Sequence, residues 1–326
     1  MQKTTIKASS DVALVKYWGK KNEILRLPEN GSISIKLDGL DTITTVEWDE
    51  NLKQDQITIQ GESEDGEVSR VIKHLDKIRT VAGKNMFAKM VSKNTFPKGT
   101  GLSSSGSGFA ALTIAATKSL DLDLSEKELS ILARQGSGTA CRCVCGGFVE
   151  WKDGDASETS FSQTLYARDY WDVRDIVVVV DEGKKKVSST EGHTTAQTSI
   201  AFAERQKRIG DKIVKIKQHI AEKNFKELGE LVEAEALEFH SILLTSTPPM
   251  IAWYPGTVQV MLEVQAMREE DIPAYFTINT GFNVHVLTLP EYENEVKKRL
   301  EKLALVKKTI VAKVGGAPEE LKEHLF

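Results

Sequence analysis

The sequence is poor in cysteine, with three in 326 residues, all in one stretch as Cys141, Cys143 and Cys145. That alternation suits neither a disulfide framework nor the C-x-x-C spacing of a zinc site, and an odd number argues against an oxidising compartment. The three are expected as small buried residues packing beside Gly146 and Gly147. No apolar run approaches the roughly 20 residues that a membrane span needs, and the start MQKTTIKASS lacks the apolar core of a signal peptide. Long blocks of like charge are missing too, since 43 basic and 47 acidic residues are spread along the chain for a net charge of −4. These absences argue against a membrane or a nucleic acid as partner and predict a cytoplasmic protein. No internal repeat or low-complexity linker is present.

What remains is an ordinary globular composition, 40% hydrophobic and 28% charged, in a chain long enough for two domains. Strand-like runs open it at 13–18, 33–37, 43–48 and 57–59, most of them bounded by Gly, Asp, Asn or Pro. Residues 109–120 (FAALTIAATKSL) are apolar on nearly every face and predict a helix buried all round. Residues 175–181 (DIVVVVD) have the pattern of a strand covered on both faces. The domain boundary is placed near 180, giving units 1–180 and 181–326. Beyond it Phe202, Ile209, Ile213, Ile216 and Ile220 recur at helical spacing. Further helices are expected from 225 to about 240, at 257–267 and at 291–303, with strand-like sequence at 274–288 and 309–314. That order predicts an α+β second half.

Residues 97–108 (PKGTGLSSSGSG) hold four glycines and four serines and lead straight into the apolar helix. Glycines let backbone N–H groups approach an anion, serine hydroxyls add donors, and a helix N-terminus adds partial positive charge, so a phosphate loop is expected. A P-loop would need Lys after Gly108, where Phe109 stands, and the glycine spacing does not fit a dinucleotide fingerprint. Lys16, Tyr17, Lys20 and Lys21 end an apolar strand, where a lysine can meet phosphate or simply be solvated. Arg142 is the sole charge in residues 140–149 and calls for a carboxylate or a bound anion. Residues 187–193, preceded by Lys184, Lys185 and Lys186, have the form of a hydroxyl-capped helix start that could also bind an anion.

Several of these residues carry a resemblance. Residues 13–20 (ALVKYWGK), 101–112 (GLSSSGSGFAAL), 137–142 (SGTACR) with 146–151 (GGFVEW), 188–192 (SSTEG), 239–241 (FHS) with Pro248 and Pro249, and 281–283 (GFN) resemble the diphosphomevalonate decarboxylases, in the same order. The resemblance implies an α+β, two-domain GHMP kinase fold. Its N-terminal half would resemble ribosomal protein S5, its C-terminal half would be ferredoxin-like, and the active site would lie between them. It implies ATP and magnesium as cofactors and mevalonate 5-phosphate or 5-diphosphate as substrate. The 3-hydroxyl would be phosphorylated, and carbon dioxide and phosphate would then leave. Relatives are often homodimers.

Carried over by position, the resemblance gives the ATP phosphates to Gly101, Ser103, Ser104, Ser105, Gly106 and Ser107, with Ser105 beside the nucleotide's magnesium. Lys16 would neutralise the transferring phosphoryl group. Tyr17, Lys20, Ser137, Thr139, Ser189 and His193 would hold the substrate's 5-phosphate end, and Arg142 its carboxylate. Three positions depart from the family pattern. Thr139 stands for Ser and His193 for Met, which tilts the substrate towards the monophosphate. Asn279 stands where the family has the aspartate that deprotonates the 3-hydroxyl, and an amide takes no proton at ordinary pH. The natural enzyme is then either a decarboxylase in which asparagine has been introduced, or a relative of the mevalonate 3-kinases, which phosphorylate and stop. A non-catalytic sensor of isoprenoid phosphates is the third possibility.

Overall fold

The computed structural model describes residues 3–60, 65–96, 101–183 and 189–326. The chain opens with β1 (Thr4–Val15), a small hairpin of β2 (Lys20–Asn22) and β3 (Leu27–Pro28), and the long β4 (Ser32–Asp49). The runs at 33–37 and 43–48, expected as separate strands, are thus one strand. Gly39 sits between them at φ +92°, and the pairing with β1 shifts register between Ser9 and Ser10, which bends the strand without ending it. The run at 13–18 is the end of β1, and the chain leaves the sheet after Val15.

β5 (Gln56–Ile59), α1 (Asp65–Ala82) and β6 (Phe87–Asn94) follow, then α2 (Ser104–Lys118), α3 (Glu126–Gly136), α4 (Ala140–Cys143), β7 (Phe148–Trp151) and β8 (Ser162–Tyr166). α2 is buried on almost every face from Gly106 to Thr117, as the apolar sequence predicts, with the Trp48 indole donating to Ala116 O at 3.0 Å. Its first turn is made of the serine run itself. α1 and α3 did not stand out in the sequence because their mean hydropathy is low. Val71, Leu75 and Ile78 of α1 nevertheless line up on one face and enter the core.

The second half holds β9 (Arg174–Val179), α5 (Ser189–Thr195), α6 (Phe202–Glu222), α7 (Phe225–Thr245), α8 (Pro255–Glu269), β10 (Ala274–Thr277), β11 (Val284–Thr288), α9 (Glu293–Glu301), β12 (Lys308–Lys313) and β13 (Glu319–Leu321). Segment 274–288 is therefore a hairpin rather than one strand, and Asn279 sits in its connection. The helix expected at 291–303 is shorter, preceded by a 3-10 turn at Pro290–Tyr292.

Besides the β2–β3 hairpin, the described strands form two larger sheets, one ordered β13-β1-β4-β6-β5 with β7 and β8 branching from β4, the other β10-β11-β9-β12. The change of sheet falls between Tyr166 and Arg174, a few residues ahead of the expected 180, and β13 returns to pair with β1. Val12, Leu14 and Ile33 of the first sheet share one core cluster with Val177 and Val179 of the second and with Ile216, Leu228 and Val232 of α6 and α7. That cluster fixes the two halves against each other and so fixes the cleft between them.

Candidate active site

A cavity of about 630 Å3 lies where the end of β1, the start of α2, α4 and the β10–β11 loop meet. Lys16, one residue beyond β1, is 3% exposed, and Arg142 on α4 is 2% exposed. Both line the cavity, as do Gly101, Ser103, Ser104, Ser105, Ser137, Thr139 and Asn279. Sequence positions far apart are thus brought to one place by both halves of the chain.

Lys16 is held by its backbone. Its N–H donates to Glu235 Oε1 at 3.1 Å, while its carbonyl accepts from Arg205 Nη2 at 2.6 Å and Asn30 Nδ2 at 2.9 Å. Arg205 and Glu235 pair at 2.5 Å, and neither side chain is exposed. Among the described residues the amine itself meets no carboxylate. Nζ donates to Ala13 O at 2.6 Å and to Asn279 Oδ1 at 3.1 Å. Burial is the largest influence on it and lowers its pKa from 10.5 to about 7. Glu235, Asp11 and Asp175 oppose the shift, and Arg142 adds to it.

Arg142 is different. Nε donates to Asp11 Oδ2 at 2.5 Å and Nη1 to Ser32 Oγ at 2.9 Å. The carboxylate that the lone charge called for is Asp11, which is fully buried in β1. Arg142 holds the Asp11 pKa below the usual carboxylate range despite burial, which alone would raise it. Nη2 of Arg142 bonds nothing among the described residues.

The serine run starts α2 with Ser103 in the left-handed region, φ 56° and ψ 28°, and no side chain caps the helix. Gly106 N–H donates to Ser103 O at 2.9 Å, while the first two N–H groups, of Ser104 and Ser105, have no partner within the helix among the described residues. Gly101 has φ +93°, and a Cβ there would lie 2.7 Å from Gly281 Cα, so glycine is required for the loop to touch the β10–β11 loop. Gly106 and Ser107 do not line the cavity. A Cβ on Gly106 would lie 3.0 Å from Thr139 Oγ1, and the Ser107 hydroxyl bonds Thr42 Oγ1 at 2.7 Å inside the core. Ser105 is exposed to the cavity and accepts from Ser137 Oγ at 3.3 Å. Lys98 and Gly99 lie outside the described residues.

Tyr17 stacks on His193 with ring centroids 4.3 Å apart, and Trp18 lies 4.2 Å from the same imidazole. His193 Nδ1 accepts from Gly19 N at 3.0 Å, so the histidine is built into the wall beside Tyr17. Lys20 lines the cavity with its amine donating to Glu23 at 2.7 Å. Ser189 opens α5, but its side chain lies outside the described residues, as do residues 184–188. Asn279 is held at both ends: its Nδ2 faces Gly101 O at 3.5 Å, and its carbonyl accepts from His240 Nε2 at 2.9 Å. Burial lowers the His240 pKa to about 4, so that ring is a neutral donor.

Sequence reasoning missed Asp11, Asn30, Arg205 and Glu235, and gave His240, quoted in the motif 239–241, no role. Asp11 carried a signal, being the only charge in residues 8–15 of β1 just as Arg142 is in 140–149. The three cysteines are buried, and burial raises the Cys141 and Cys143 thiols to about 12 and 11. Among the described residues no group of three or more His, Cys, Asp or Glu could hold a metal, and no helix is long and apolar enough to cross a membrane.

Comparison with known proteins matches the diphosphomevalonate decarboxylase-like N-terminal domain to residues 8–162 and the mevalonate 5-diphosphate decarboxylase C-terminal domain to residues 175–323. The chain is 31% identical to diphosphomevalonate decarboxylase of Candida albicans, covering 100% of this chain and 99% of the relative. It is also 31% identical to phosphomevalonate decarboxylase of Haloferax volcanii, over 98% of each. A solved structure described as MDDEF in complex with MVAPP, AMPPCP and magnesium superposes with a TM-score of 0.92 at 35% identity, over 98% of this chain and 99% of that one.

Proposed function

The chain belongs to the diphosphomevalonate decarboxylase family, and from that premise we propose that it is an ATP- and magnesium-dependent decarboxylase of mevalonate 5-phosphate or 5-diphosphate. One observation carries the reading. Lys16, the start of α2, Arg142 and the Asn279 loop converge on one cavity, in the positions the resemblance assigns to phosphoryl transfer and decarboxylation.

The residues fit a nucleoside triphosphate. The backbone N–H groups of Ser104 and Ser105 at the start of α2, with the hydroxyls of Ser103, Ser104 and Ser105, would cradle its phosphates, and AMPPCP, which a relative binds, is an ATP analogue. Magnesium keeps several waters and rides on phosphate oxygens, so it needs no cage of carboxylates, and Ser105 would be the residue beside it. Bound there, it supplies charge neutralisation of the polyphosphate. Arg142, with Asp11 and Ser32 fixing two of its nitrogens, would offer Nη2 to the substrate carboxylate until carbon dioxide leaves. Tyr17, Lys20, Ser137, Thr139 and His193 form the wall for the 5-phosphate end. The imidazole filling that wall between Tyr17 and Trp18 favours the smaller monophosphate.

Incubation with ATP, magnesium and each substrate tests this, with ADP and carbon dioxide measured together. Equal amounts of both are expected. ADP without carbon dioxide would instead make the chain a 3-kinase, the second reading that Asn279 favours. Neither product from either substrate would leave only a binding role.

A further inference from the structure

We propose that in this chain Lys16, rather than the residue at 279, takes the proton from the substrate's tertiary hydroxyl, while Asn279 holds the lysine amine in place. The proposal rests on the decarboxylase reading and deepens it. It begins with Nζ, which is buried at the cavity wall and donates to two neutral oxygens, Ala13 O and Asn279 Oδ1. No third partner occurs among the described residues. A neutral amine has two N–H bonds and one lone pair, so these two oxygens satisfy its donors and leave the lone pair as its remaining valence.

The amide at 279 makes this possible. Its Nδ2 faces Gly101 O, so Oδ1 is the atom turned to Lys16. A carboxylate there would be a counter-ion holding the lysine charged, whereas a carboxamide accepts a hydrogen bond without holding it charged. The other carboxylates near Lys16 each have a cation or ring of their own. Glu235 is paired with Arg205 and Lys212, Asp11 with Arg142, and Asp175 with the imidazole of His285. The cationic Arg142 on α4 opposes a charged amine, and His240 on α7 is neutral. Burial therefore prevails, and the pKa near 7 leaves about half the amine free at neutral pH.

The step balances. The 3-hydroxyl proton moves to Nζ as its oxygen bonds the γ-phosphorus of ATP, the bond from that phosphorus to the bridging oxygen breaks, and ADP departs. The ammonium so formed stays beside the transferred phosphoryl group and neutralises it. One nitrogen thus acts first as base and then as cation.

Two experiments test this. The Lys16→Arg variant keeps a cation but cannot be a base, because guanidinium does not give up its proton in proteins. A fall in kcat of about 10²-fold or more is expected, and retention of activity within about tenfold would overturn the proposal. The second needs no substrate. In the protein with its lysines isotope-labelled at Nζ, nuclear magnetic resonance should show the Lys16 signal titrating near pH 7, and moving upward in Asn279→Asp. A midpoint close to that of ordinary lysine would overturn the proposal. Failure of every substrate with both the Asn279 chain and Asn279→Asp would instead sink the decarboxylase reading, and the titration would still decide the state of the amine.

Discussion

Two buried cations line the same cavity, and their surroundings are opposite. Arg142 has Asp11 at 2.5 Å and a hydroxyl at 2.9 Å, so its charge is compensated and its pKa is raised. Lys16 has a carbonyl and an amide, so burial is uncompensated and its pKa falls to about 7. The difference teaches that one wall of the cavity carries fixed charge, suited to holding a carboxylate, and the other carries a proton that can be gained and lost. The loop that supplies Asn279 is what separates the two cases.

The largest effect is expected from breaking the compensated side. Arg142→Met leaves the Asp11 carboxylate buried without a partner and should cost about 3–5 kcal/mol in urea denaturation. A cost below about 1 kcal/mol would mean that the pair is not the fixed charge described. Next comes the contact that sets the Asn279 loop against the phosphate loop. Gly101→Ala puts a Cβ 2.7 Å from Gly281 Cα at φ +93° and should cost about 1–3 kcal/mol, with turnover falling alongside.

The uncompensated side should behave in the opposite sense. The folded-state pKa of Lys16 lies below its unfolded value of 10.5, so the unfolded chain holds more protons between the two, and the lysine's penalty on stability shrinks as pH rises from about 7 towards 10.5. Lys16→Met should therefore stabilise the fold at neutral pH, on the order of 1 kcal/mol, and the gain should shrink in alkaline urea melts. The smallest effect concerns the thiols packed around Arg142. Cys141 and Cys143 titrate near 12 and 11, so a thiol reagent should not label them in the native protein and should do so only on unfolding.

Much of this was legible in the sequence because it was local. The apolar helix after the serine run, the strand at β9 and the motifs around Lys16 and Arg142 all announce themselves within a few residues. The site's supports did not, because they are pairings across long separations: Asp11 with Arg142, and Lys16 with Glu235. The joining of residues 32–49 into one bent strand was hidden for a related reason. Gly39 and Asp41 look like a turn locally, and only the pairing with β1 on one edge and β6 on the other keeps the chain extended. Gly106 and Ser107 show the limit of composition, since they share the loop's chemistry yet pack into the core behind it.

The most direct test is the pH dependence of carbon dioxide release from carboxyl-labelled mevalonate 5-phosphate and 5-diphosphate, with ATP and magnesium, for the Asn279 chain and Asn279→Asp side by side. The Asn279 chain should release carbon dioxide with kcat rising through a single ionisation near pH 7, while the aspartate variant's rising limb moves to the acidic range of a carboxylate. An Asn279 chain that is inert at every pH, beside an aspartate variant that turns over, would contradict the assignment of the base to Lys16.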